Sequence, residues 1–282
     1  MILRSAGCAL FFLAQSALAQ TGFVPVAGGK LYYQQCATSK PTTVVLVHDG
    51  ALDSNVWDDV WPQFCGRFHT IRYDRRGYGR SPEATDWYSE IDDLAAVLRQ
   101  LEVRQAVLVG SSHGAQMSID FTLAHPEIVQ KLVLVGPVVT GLGYTKHFLY
   151  RGGAFDSVPA WLARGDTKRA IIAATQDRWA LAPGDTVGQR RVREVLTASP
   201  QDLSAGGHEL PNKPALPRLG EIKVPTLILV GDADIPDVHA HAGAIEAGIP
   251  RARRVVVEGV GHIMYVEKPA EFSRLVIDFI EP

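Results

Sequence analysis

Long basic runs are missing from this chain of 282 residues, and none is longer than a pair such as Arg75-Arg76 or Arg253-Arg254. With 28 Lys+Arg against 30 Asp+Glu, the formal net charge is only −2. Nothing here provides the electrostatic footprint that nucleic acid or an anionic membrane surface requires. Internal repeats and low-complexity stretches are also missing, which excludes solenoids and tails. Cysteine is scarce, with three residues, so the chain is not a small scaffold stapled by disulfides. Beyond residue 19 no apolar run is long enough to cross a bilayer. His239 and His241 lie two apart with no third ligand placed beside them, and a solvated helix start explains them better than a metal site.

What remains is an ordinary globular composition, able to bury roughly three quarters of its unfolded surface in one large core. The first residues differ from the rest. Arg4 precedes the apolar run Ala9-Leu-Phe-Phe-Leu-Ala14, and Ala17-Leu18-Ala19 gives a small-x-small cleavage site before Gln20. Residues 1–19 therefore read as an export signal, which predicts a periplasmic or secreted protein with no membrane association after cleavage. Cys8 precedes the apolar run, so it does not read as a lipoprotein cysteine. Cys36 and Cys65 remain in the mature chain, as a disulfide or as two buried free thiols.

Periodicity predicts alternating elements. A hairpin is expected over residues 23–35 around Ala27-Gly28-Gly29, followed by strands over 43–47, 69–73, 107–111, 131–135, 225–230 and 253–257. Helices are expected over 55–64, 88–101, 115–125, 239–247 and 269–280, with Ile91, Leu94, Leu98 and Leu101 forming one stripe. Such alternation calls for a mostly parallel sheet of eight strands, flanked by helices and connected right-handedly. Residues 138–220 break the pattern with helical periodicity, Gly, Pro and scattered aromatics. They read as a helical cap inserted between two parts of the core, 20–137 and 221–282.

The chemistry-bearing stretch is Val107-Leu-Val-Gly-Ser-Ser-His-Gly114, which contains G-x-S-x-G with Ser112 at its centre. A strand entering a helix through one tight turn strains the middle residue and needs small neighbours, here Gly110 and Gly114. A nucleophilic serine needs a base, a group to orient that base, and donors for the oxyanion. His262, after the last strand, is the candidate base, and Asp234, after the seventh, is the candidate acid. Ser111, Asp232 and Asp237 are the neighbouring alternatives. His48 and His125 read as structural, Arg75 and Arg76 as bracing a turn, and His113 as lining the pocket or facing the cap.

Five motifs in order carry a resemblance: His48-Asp-Gly50 with Trp57, Tyr73-Asp-Arg-Arg-Gly-Tyr-Gly-Arg-Ser81, the Ser112 turn, Gly231-Asp-Ala-Asp234 and Gly261-His262. The chain resembles the α/β-hydrolase superfamily, in particular capped bacterial esterases, cofactor-free haloperoxidases and carbon–carbon bond hydrolases. The resemblance implies the α/β-hydrolase fold and a triad of Ser112, His262 and Asp234, with no cofactor. The implied oxyanion donors are the backbone N–H groups of His113 and Gly50. Where the family usually has His-Gly, this chain has His48-Asp49, and an inward-pointing Asp49 would oppose developing negative charge.

The expected substrate is a small, largely apolar ester or lactone, bound under cap aromatics such as Phe148, Trp161 and Trp179. A carbon–carbon hydrolase, a perhydrolase, or a low-turnover receptor of the same fold are the alternatives. Oligomeric state is open.

Overall fold

The structure is a computed structural model that describes residues 19–145, 157–176 and 180–281. The predicted hairpin forms from β1, Gln20–Val26, and β2, Gly29–Cys36. Gly28 turns it at φ 73°, a conformation that favours a residue without Cβ. Six more strands follow: β3 Thr43–Val47, β4 His69–Tyr73, β5 Ala106–Ser111, β6 Val129–Val135, β7 Thr226–Gly231 and β8 Ala252–Val257. They make one eight-stranded sheet in the order β1-β2-β4-β3-β5-β6-β7-β8. Only the β1·β2 and β2·β4 pairs are antiparallel.

Alternate residues of the central strands feed two apolar layers. Val44, Leu46, Val107 and Val109 belong to one, while Val45, Val47 and Leu108 belong to the other. Burial on both faces is why these strands read as unbroken apolar runs instead of alternating patterns. Helices cover both faces. Among the described residues these are α1 Trp61–Arg67, α2 Glu90–Gln100, α3 His113–Ala124, α4 Val158–Ala163, α5 Thr167–Gln176, α6 Thr186–Ala198, α7 Pro236–Gly248, α8 Met264–Glu267 and α9 Pro269–Ile280. None is long and apolar enough to cross a membrane.

Several element boundaries differ from expectation by two or three residues, such as the start of α7 at Pro236 and of β6 at Val129, and two of the differences have a clear local cause. The helix expected over 55–64 divides into a 3₁₀ turn, Ser54–Trp57, and α1. Asp53 caps the 3₁₀ turn by accepting from Asn55 N at 2.8 Å, and Pro62 occupies an early position of α1, where its missing N–H costs nothing. In α3 the helix starts at His113, two residues earlier than the apolar pattern suggests, because the strained Ser112 feeds straight into it.

Between β6 and β7 the helices among the described residues are α4 to α6, followed by 3₁₀ turns at Pro200–Ser204 and Leu216–Glu221. Asp185 caps α6 by accepting from the N–H groups of Val187 and Gly188. Cys36 of β2 and Cys65 of α1 are joined in a disulfide, with Cα atoms 5.7 Å apart. Of the two sequence alternatives for these cysteines, the bridge is the one formed.

Candidate active site

The site gathers where β3, β5, β7 and β8 end. Ser112 follows β5 at φ 52° and ψ −114°, one of three non-glycine residues at positive φ among those described. Its neighbours explain how a serine comes to be held there. A Cβ on Gly110 would fall on the backbone of Gly114, and one on Gly114 would fall on the carbonyls of Val47 and His48. Strand and helix approach so closely that only glycine fits on either side. The strain persists because the packing around the turn over-determines it.

Ser112 donates its own N–H to Val135 O at 2.8 Å, and its carbonyl accepts from Ala115 and Gln116. The N–H groups of His113 and Gly114 precede the first bonds of α3. They therefore lie at the positive end of a helix with no intrahelical partner.

His262 follows β8 and is fully buried. Its Nδ1 lies 2.8 Å from Oδ2 of Asp234, which follows β7. A carboxylate at this distance accepts a hydrogen bond from Nδ1–H, which holds the neutral ring's proton on Nδ1 and makes Nε2 the nitrogen that exchanges one. Burial pulls the imidazole pKa down, yet the charge and hydrogen bond of Asp234, with lesser help from Asp49 and Glu267, outweigh it, and the net shift is upward.

Three packing details bring this pair to one place. Gly231 lets the loop Val260-Gly261 cross the end of β7. Gly136, at φ 49° after β6, lies against the His262 ring: a Cβ there would approach Nδ1 to 2.8 Å. Ala180 O accepts from the N–H groups of His262 and Ile263, while Glu267 accepts from Ala182 N at 2.6 Å and from Gly261 N at 2.7 Å. The histidine loop is thereby tied to the segment preceding α6. Burial, the largest influence, raises the Glu267 carboxyl to about 7.

The neighbouring candidates go elsewhere. Ser111 is fully buried and bonded to the Tyr265 hydroxyl at 3.1 Å, whereas Ser112 is only half-buried. Asp232 holds the turn through Gly259 N and Val260 N. Asp237 binds Thr145 through backbone and side chain. His241 is buried instead of lying at a solvated helix start: it accepts from Val139 N, and its ring is tilted at 40° to that of Tyr144.

The loop after β3 carries several buried polar contacts. Asp49 is buried and its carboxylate folds back on its own loop. Oδ1 accepts from Ala51 N at 2.7 Å and Leu52 N at 3.0 Å, and Oδ2 accepts from the Tyr265 hydroxyl at 3.0 Å. Burial raises its pKa, with these hydrogen bonds and the nearby charges of His262 and Arg75 acting the other way. Gly50 is exposed, and its Cα faces His113, whose Cβ would lie 3.4 Å from an added Cβ. The two backbone segments named as donor candidates are thus adjacent.

His113 turns its imidazole to Glu90, with Nε2 2.7 Å from Oε2. Trp161 of α4 is half-buried, with the guanidinium groups of Arg164 and Arg169 5.3 and 4.8 Å from its ring centre. Phe148 and Trp179 lie outside the described residues. Glu90, Tyr265, Gly136 and Glu267 carried no signal in the sequence. They act from helix starts and strand ends distant along the chain, and only the topology brings them together.

A strained serine at a strand-helix junction and a buried His-Asp pair at neighbouring strand ends describe the alpha/beta hydrolase class. The sequence profile of the alpha/beta hydrolase family matches residues 44–275, and the chain belongs to that family. It is 25% identical over 257 residues to a pimeloyl-[acyl-carrier protein] methyl ester esterase of Edwardsiella ictaluri, covering 89% of this chain and 97% of that one. It is 27% identical over 265 residues to a 2-hydroxy-6-oxononadienedioate/2-hydroxy-6-oxononatrienedioate hydrolase of Cupriavidus pinatubonensis, covering 84% and 86%. The solved esterase of Rhodococcus sp. ECU1013 superposes with a TM-score of 0.76 at 25% identity, over 93% of this chain and 98% of that one. The chain is a hydrolase.

Proposed function

We propose that the protein is an exported serine hydrolase that cleaves a small, largely apolar carboxylic ester or lactone through an acyl-enzyme. The observation that carries this reading is the 2.8 Å contact of His262 Nδ1 with Asp234, on a site whose serine is held at φ 52°. Asp234 fixes the imidazole tautomer, and Nε2 of His262 takes the Ser112 proton as Oγ attacks the carbonyl carbon. The carbonyl π electrons move to oxygen, and the N–H groups of His113 and Gly50 receive the resulting negative charge. Collapse expels the alkoxide, protonated by His262. Water, deprotonated by the same nitrogen, then releases the acid and regenerates Ser112.

Export is supported by the Cys36–Cys65 bridge, since such bonds persist in oxidising compartments, together with the leader-like residues 1–19. Those residues precede almost the whole described structure. The apolar preference rests on Trp161 and on the aromatic composition of the segment that carries Phe148 and Trp179.

The relative from Cupriavidus pinatubonensis favours one second reading, hydrolysis of a carbon–carbon bond next to a ketone on the same three residues. A panel of short-chain aryl esters, lactones and β-diketones, assayed with wild type and Ser112→Ala, separates the two. Ester or lactone turnover abolished in Ser112→Ala supports the leading reading. Diketone cleavage with no ester turnover replaces it with the second, and turnover surviving in Ser112→Ala removes both.

A further inference from the structure

Both side chains of His48-Asp49 and the carbonyls of Asp49 and Gly50 are engaged in hydrogen bonds. Arg75 N donates to Nε2 of His48 at 3.0 Å, which makes Nε2 the acceptor and places the imidazole proton on Nδ1. Burial, with Arg75 beside it, lowers the His48 pKa well below the ordinary value, so the ring is neutral. Nδ1–H then donates to the Asp49 carbonyl at 2.9 Å, and Arg75 Nη2 donates to that same oxygen at 2.6 Å. The Tyr78 hydroxyl donates to the Gly50 carbonyl at 2.8 Å, and the Asp49 carboxylate accepts from the N–H groups of Ala51 and Leu52. The Gly50 N–H, like that of Asp49, has no acceptor among the described residues.

The Asp49 carbonyl and the Gly50 N–H belong to one peptide unit. Two donors on the carbonyl, one of them a buried cation, pull electron density toward oxygen and make the N–H at the other end a stronger donor. The guanidinium is itself held: Nη1 lies 2.8 Å from Glu90 Oε1, with both side chains buried, and its plane rests 4.5 Å from the Tyr78 ring centre. The other oxygen of Glu90 takes His113, the residue whose N–H is the second donor candidate. One carboxylate therefore braces both backbone segments.

We propose that Arg75 is a positioning residue for the oxyanion site, and that its guanidinium, fixed by Glu90, orients and polarises the Asp49–Gly50 peptide so that Gly50 N–H meets the developing negative oxygen. This rests on the reading of Ser112 as nucleophile. It also gives the Asp49 departure a role: its carboxylate holds the N–H groups of Ala51 and Leu52, just beyond that peptide unit. A turn brace alone would need the Arg75–Glu90 pair but not the contact on the Asp49 carbonyl.

The test compares wild type, Arg75→Gln, Arg75→Lys and Glu90→Gln for 4-nitrophenyl acetate hydrolysis and for inhibition by phenylboronic acid, which forms a tetrahedral anion on serine. All rates are normalised to sites titrated with a fluorophosphonate, so that unfolded protein does not count. Arg75→Gln is expected to lower kcat per site about 10- to 100-fold with KM changed less than threefold, and to weaken phenylboronic acid in step. Arg75→Lys, which keeps the charge but not the fork, should recover part of both. If Arg75→Gln does not fold, Glu90→Gln and Arg75→Lys decide by parallel losses of kcat and boronate affinity. Variants whose kcat per site and boronate affinity equal wild type overturn the proposal while leaving Ser112 in place. A wild type that is neither labelled nor active overturns the nucleophile assignment and this proposal with it.

Discussion

Gly136 and His262 are in direct contact: a Cβ on the glycine would come to 2.8 Å from Nδ1 and 2.9 Å from Cε1 of the imidazole, and to 3.3 Å from the Asp234 carboxylate. The end of β6 therefore sets the resting place of the His-Asp pair, although it contributes no polar side chain to it.

Gly136→Ala should misplace the imidazole and also strain a backbone at φ 49°. The expected result is a loss of kcat on the order of 10²-fold, as displacements of about an ångström produce, with circular dichroism unchanged. A variant with wild-type kcat would show that the ring has room to move aside.

The raised pKa of His262 sets the acid limb of activity. Nε2 works as a base only when the ring is neutral, so activity is lost as pH falls through the free-enzyme pKa. That pKa lies above the ordinary value of 6.5 because Asp234 favours the charged ring. The acid limb of kcat/KM should therefore have its midpoint above 6.5. In Asp234→Asn it should move to lower pH while kcat drops on the order of 10⁴-fold. A limb at or below 6.5 in the wild type would remove Asp234 as the partner.

Ser111 and Ser112 are adjacent but separable. Ser111→Ala removes a buried hydrogen bond to Tyr265 and should cost about 1 to 3 kcal/mol of stability by urea unfolding, with kcat kept within about tenfold. Ser112→Ala should leave stability equal or higher, since it removes no buried bond, and should lower kcat by roughly 10⁴- to 10⁶-fold. The reverse pattern would move the nucleophile to Ser111.

The disulfide closes a loop with a sequence separation of 29. On the chain-entropy account this is worth about 3 to 4 kcal/mol, so the Cys36→Ala, Cys65→Ala double variant should unfold at markedly lower urea. An unchanged midpoint would mean that β2 and α1 hold their positions without it.

The sheet and the chemistry-bearing residues were legible for the same reason. Strands buried on both faces leave unbroken apolar runs such as Thr43-Val-Val-Leu-Val47, and residues that cap such strands stand at fixed offsets from them. Ser112, Asp234 and His262 could be proposed as a set because each follows a recognisable strand. The contacts that hold them were not legible. Glu90 looks like any acidic residue in a helix first turn, and Tyr265 like any aromatic before a closing helix. Their roles come from crossovers that set α2 and α8 beside the loop after β3. The Asp49 question turned on where its side chain bonds, which the sequence does not record: the carboxylate takes the N–H groups of Ala51 and Leu52 and the Tyr265 hydroxyl.

The central claim is that Ser112 is the nucleophile of a hydrolytic site. Incubating the folded protein with a fluorophosphonate and digesting it should give a mass shift on the peptide containing Ser112, near one per chain, which disappears in Ser112→Ala and is strongly slowed in His262→Ala. An unlabelled wild type, or a label on another residue that persists in Ser112→Ala, would contradict it.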